Sequence, residues 1–188
     1  MSQTTTAATS LDHMAESAGF QFDSQAEMMD FFKKFGSNGR TFQDFTALTP
    51  ESMEVLYSVA YNYYTAGKYD DAENVFQLLS VLNHFDRKYW KGLAASRENQ
   101  GKFEDALKAY GYIAILDIYD PYAPFHAGKC LIGLGRTNEA ESALSAAIHN
   151  AGDKAEHADL KAEAEGLLKV LAKSNGNGNG NGNGNSNA

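Results

Sequence analysis

One interval governs what this chain can fold into. Gly67, Gly101 and Gly135 are each 34 residues apart, and so are Ala72, Ala106 and Ala140. Aligned on them, Tyr69, Phe103 and Thr137 share a column, Phe76, Tyr110 and Leu144 a second, and Leu56, Trp90 and Pro124 a third. Each interval reads as two helices joined by a tight glycine turn. A unit of this size cannot bury its apolar face alone, so the three must stack on one another. The chain is therefore expected to be all-α, a curved solenoid whose concave face is the place to look for function.

The period and its columns are those of the tetratricopeptide repeat, a helix-turn-helix unit. The repeats are expected from Thr49 to about His84, from Asp86 to Ile118, and from Asp120 to about Gly152. The chain in order then divides into a flexible head at 1–23, a helix and linker at 24–48, repeats at 49–154, a capping helix at 155–173 and a disordered Asn-Gly tail at 174–188. Ser24 and Glu27 form a capping box ahead of a stripe of Met28, Phe31, Phe32 and Phe35, ended by Gly36. That helix is too short to be stable by itself and must dock on the solenoid or on a second copy. Thr49 and Pro50 fit the N-cap and first position of a helix. Asp86 and Asp120 sit where a carboxylate caps the first helices of repeats two and three. Asp153 and Glu156 make a further capping box before a helix with Leu160, Ala164, Leu167, Leu168 and Leu171 on one face, suited to closing the end of the stack.

Composition excludes several function classes. Among 188 residues the formal charge is −8, which leaves no basic footprint for nucleic acid or anionic lipid. Cys130 is the only cysteine, so no internal disulfide forms and a reducing compartment is expected. Nothing in Met1 to Asp23 reads as a signal peptide, and no run reaches the roughly 18 to 20 apolar residues of a spanning helix. The five histidines, His13, His84, His126, His149 and His157, show no metal-like spacing, and His84 and His126 read as structural. The three glycines are interhelical turns rather than a phosphate loop, and Cys130 reads as an inert, partly buried thiol. Neither an enzyme nor a cofactor-binding protein is expected. The chain is expected to be soluble and cytoplasmic.

In the first helix of repeat one, Leu56, Val59, Ala60 and Tyr63 occupy the packing positions of the repeat. Tyr57, Tyr61 and Tyr64 then form a second stripe, at positions that line the concave face. Their rigid rings supply contact area at low entropic cost, with a hydroxyl for main-chain groups. The alternative is that the N-terminal helix covers them. The matching columns hold Lys88, Lys91, Ala95 and Glu98 in repeat two, and Tyr122, Phe125, Lys129 and Ile132 in repeat three. An extended segment with apolar anchors would fit such a groove, although Lys88 and Lys91 read equally well as a solvated face.

The segments from Leu56 to Asp86, Gly92 to Tyr110 and Asp120 to Leu144 closely resemble the class II chaperones of bacterial type III secretion systems, over about residues 24 to 155. The resemblance implies a small acidic cytoplasmic protein that holds two hydrophobic translocator proteins soluble and unassembled before secretion. It implies that an extended translocator segment lies along the groove. By position this assigns peptide binding to Tyr57, Tyr61, Tyr64, Tyr110, Phe125 and Lys129, with Leu82 and Ala95 as pocket walls. It also implies a homodimer through N-terminal helices, which would give Met28, Phe31, Phe32 and Phe35 a partner. In some members of that family it extends to co-activation with an AraC-type regulator. A general tetratricopeptide adaptor is the other reading, and it would favour a charged groove that clamps carboxylates.

Overall fold

The computed structural model describes residues 39 and 41–178, with backbone only for residues 45 and 174–178. The expectations for 1–38, including the Ser24–Glu27 box and the Met28, Phe31, Phe32, Phe35 stripe, and those for 179–188 lie outside the described residues.

Among the described residues seven α-helices follow one another, α1 (Pro50–Thr65), α2 (Tyr69–Leu82), α3 (Arg87–Asn99), α4 (Phe103–Leu116), α5 (Tyr122–Gly133), α6 (Thr137–Ala151) and α7 (Ala158–Gly178), with 3-10 turns at Phe42–Phe45 and Ala155–His157. Thr49 caps α1 by accepting the Ser52 N–H at 3.2 Å, with Pro50 in the first position. Asp86 caps α3 through the Lys88 N–H at 3.0 Å. Asp120 takes the Ala123 N–H of α5 at 2.9 Å across Pro121. The second helices α2, α4 and α6 follow Lys68, Lys102 and Arg136, which supply no side-chain cap, but each carries acids in its first turn that meet the helix dipole. Between paired helices, Gly67, Gly101 and Gly135 turn the chain at φ of 73, 73 and 71°. A side chain in that left-handed region would be strained, which is why the period is marked by glycine.

Each helix packs on the next, and beyond sequence neighbours α1 reaches α3 and α5 reaches α7. The odd-numbered helices therefore line one side of the stack. Ala72, Ala106 and Ala140 are fully buried, so the alanine column lies inside the stack. The core runs through the stack in three clusters, around Phe76 and Leu93, around Ile113 and Tyr110, and around Leu144 and Leu131. Leu160, Ala164 and Leu171 of α7 close the last cluster, with Leu167 and Leu168 partly buried beside them.

Four expectations change. Val59 is 39% exposed rather than packed, because α1 is the first repeat helix and has no earlier repeat against that side. Asp153 and Glu156 form no capping box: Ala155–His157 is a separate 3-10 turn, and Asp153 pairs with Lys161 at 3.1 Å. Cys130 is completely buried rather than partly so, and burial pushes its thiol up to about 12. The backbone of α7 stays helical to Gly178 instead of ending before Ser174, since extending an anchored helix costs far less than starting one.

Candidate peptide-binding groove

The inner side of the stack carries two adjoining hollows that share Lys91 and Ala95. The first, about 200 Å³, lies between α1 and α3. Tyr57, Tyr61 and Tyr64 form one wall, Phe76 and Gly92 the floor, and Lys88 the rim. The second, about 310 Å³, lies between α3, α4 and α5 and is lined by Ile113, Ala123, Tyr110, Tyr122 and His126. Most of the lining is apolar in both. Ala95 sits at the junction, where a larger side chain would narrow the passage.

The tyrosine stripe is available to solvent. Tyr61 is 52% exposed, and Tyr57 and Tyr64 are half-buried. Tyr57 stacks on Tyr61 with centroids 6.3 Å apart and meets the edge of Phe76 at 5.9 Å. Tyr64 packs on Tyr69, its hydroxyl accepts from Asn99 Nδ2 at 3.1 Å, and burial raises its phenol pKa. Rings held on one side by such contacts leave their other faces presented at little entropic cost.

The remaining expected site residues are distributed differently. Leu82 lines neither hollow: it is buried in the first core cluster with Met53, Phe76 and Leu79, on the face of α2 that packs inward. Tyr110 is 4% exposed and lies beneath the second hollow, where its hydroxyl is tied to Glu98. Phe125 is 5% exposed and belongs to the third core cluster, with Lys129 Nζ 5.4 Å above its ring. Neither Phe125 nor Lys129 lines either hollow.

The lysines along this side are held by the protein's own carboxylates. Lys88 pairs with Glu54, one repeat back on the same column, and lies 5.0 Å over the Tyr57 ring. Lys91 binds the nearly buried Asp120 at 3.1 Å and lies 5.2 Å over Tyr122. Lys129 reaches Glu98 and Glu163, each at 3.9 Å. With their charges matched in place, these ammonium groups offer an incoming carboxylate little that it does not already have in water.

Glu98 is the polar centre beneath the second hollow. Its side chain is 15% exposed, and Oε2 receives Tyr110 Oη at 2.6 Å and lies 3.0 Å from His126 Nδ1. Burial pushes this carboxyl up, but the bonds from His126 and Tyr110 outweigh it and hold Glu98 below its ordinary range. Burial next to that carboxylate pushes the Tyr110 phenol far up. His126 stacks on Tyr110 at 5.4 Å and meets Phe125 edge-on. Sequence reading placed His126 as structural and missed the cluster, because its members stand 12 and 28 residues apart. One signal was present: His126 shares its column with Gly92, which itself borders the first hollow.

Stacked hairpins with an apolar inner groove define a tetratricopeptide-repeat protein, and the tetratricopeptide repeat model matches residues 53–86 and 88–120. Low calcium response locus protein H of Yersinia pestis is 39% identical over 139 residues, 74% of this chain and 83% of that protein. The Yersinia enterocolitica type III secretion translocator chaperone SycD superposes with a TM-score of 0.67 at 38% identity, covering 71% of this chain and 99% of the other. PcrH, solved in complex with the chaperone binding region of PopD, gives 0.66 at 39% identity, covering 69% and 97%. The chain belongs to the tetratricopeptide-repeat chaperone family of type III secretion translocators.

Proposed function

We propose that this protein is a cytoplasmic chaperone that takes an extended segment of hydrophobic translocator proteins into the two inner hollows, keeping those clients soluble and unassembled before secretion. The observation that carries this reading is the pair of adjoining apolar hollows walled by Tyr57, Tyr61 and Tyr64, with the nearby lysines already neutralised by Glu54, Asp120, Glu98 and Glu163. An adaptor that clamps carboxylates needs unpaired cations, so apolar anchoring is favoured over it. PcrH binds a region of PopD in one solved structure and a region of PopB in another, and SycD binds a YopD peptide. These precedents support two clients for this chain as well.

Among the described residues no helix is long and apolar enough to cross a membrane. The client is the partner with membrane-seeking segments, and capturing one in a groove withholds it from premature association. Ordering a short segment only on binding keeps affinity moderate and release possible. The stripe of Met28, Phe31, Phe32 and Phe35 is proposed to pair with its copy in a homodimer, in line with the dimer forms solved for SycD. Co-expression provides the test. A translocator that is insoluble alone is expected to become soluble and to copurify with this chain; a translocator that stays insoluble and fails to copurify overturns the reading.

A further inference from the structure

The second hollow holds few polar atoms, and two of them are already engaged. Tyr110 Oη is committed to Glu98 at 2.6 Å and Lys91 Nζ to Asp120 at 3.1 Å. His126 is different, because Glu98 decides which nitrogen of its neutral ring carries the proton. An ionised carboxylate only accepts, so the Nδ1 that lies 3.0 Å from Glu98 Oε2 must carry the proton. A neutral imidazole with Nδ1–H has a bare lone pair on Nε2, and the bond to Glu98 uses Nδ1, not Nε2. The hollow that His126 lines also has Ile113, Ala123 and Ala95 in its wall, whose side chains offer a peptide main chain nothing to bond. A segment lying there exposes one N–H per residue, and each one buried without an acceptor costs binding energy.

We propose that His126 Nε2 accepts a main-chain N–H of the bound segment, and that Glu98 is the positioning residue that holds the proton of the neutral ring on Nδ1 and so leaves the Nε2 lone pair for this. This rests on the groove reading above. It makes His126 a determinant of where along its length a client sits, since one anchored N–H sets the register of an extended strand.

The test uses the full chain and, as probe, the chaperone binding region of PopD, followed by fluorescence anisotropy at pH 8. His126→Phe is expected to bind about tenfold more weakly at pH 8, the usual effect of leaving one buried donor unpaired. His126→Gln, which keeps a side-chain acceptor, is expected to recover most of that affinity. Ring nitrogen-15 NMR of the free chain at pH 8 is expected to report the Nδ1–H tautomer, and this readout needs neither a client nor a variant. An Nε2–H tautomer, or His126→Phe binding within twofold of wild type, overturns the proposal while leaving the groove reading intact. Wild type that fails to bind the probe removes the groove reading, and the proposal with it.

Discussion

At the residue scale, the groove separates side chains that build the protein from side chains that face a guest. Tyr61 is 52% exposed, and Tyr64 packs only on the edge of the first core cluster with its hydroxyl toward solvent-exposed Asn99. Tyr61→Ala combined with Tyr64→Ala is expected to cost at most about 1 kcal/mol of stability and to weaken translocator capture at least tenfold, measured by thermal melting and pull-down on one preparation. Leu82→Ala should do the reverse. Truncating that buried side chain removes about 2 to 4 kcal/mol, visible as a lowered melting temperature, while the protein that remains folded captures its client normally. The tyrosine stripe could be read from spacing because positions i, i+4 and i+7 share a helix face whatever the helix packs on. Leu82, Tyr110 and Phe125 could not be resolved that way, since a repeat helix is contacted on two sides and only packing decides which residue is covered. The Glu98–Tyr110–His126 cluster draws one member from each of α3, α4 and α5, so no single helix betrays it.

At the element scale, the stack depends on how closely neighbouring helices approach. A β-carbon added at Gly92 would lie 2.4 Å from the Phe76 ring, and Phe76 is itself 1% exposed and unable to retreat. Gly92→Ala is expected to destabilise the fold by about 1 to 3 kcal/mol, read from the denaturant midpoint, and to close the floor of the first hollow. Repeats one and two are also tied by Glu73 of α2, which accepts from Arg97 at 2.8 Å, Lys102 at 2.8 Å and Gln100 at 2.9 Å. Burial pushes the Glu73 carboxyl up, but bonds from Lys102, Arg97 and Gln100 prevail and bring it from 4.5 to about 2. A carboxyl depressed on folding contributes in full above its unfolded value and loses that contribution as pH falls from 4.5 toward 2. Glu73→Gln should therefore lower stability by about 1 to 3 kcal/mol at neutral pH, and the gap to wild type should shrink through that acid window in pH-dependent denaturant unfolding. The glycine and alanine columns that mark the elements were legible because geometry admits almost nothing else there. The missing box at Asp153 was not, since Ser, Thr, Asp and Glu near a helix start have several local partners and the nearby Lys161 takes Asp153 instead.

At the scale of the whole molecule, three hairpins and a closing helix hold two small hollows in line along one side, and an acidic surface keeps the assembly dispersed. The order of repeats and the all-α class were set by the 34-residue interval; the two-part shape of the groove was not, because it depends on Ala95 and Lys91 standing between walls from α1, α4 and α5. The central claim is that a translocator segment lies in that groove and on no other face. A photo-crosslinking amino acid at position 61, compared with one at the exposed Val170 on α7, tests it in cells co-expressing a translocator. The account predicts a covalent adduct with the translocator from position 61 and none from position 170; an adduct from position 170 with none from position 61 would contradict it.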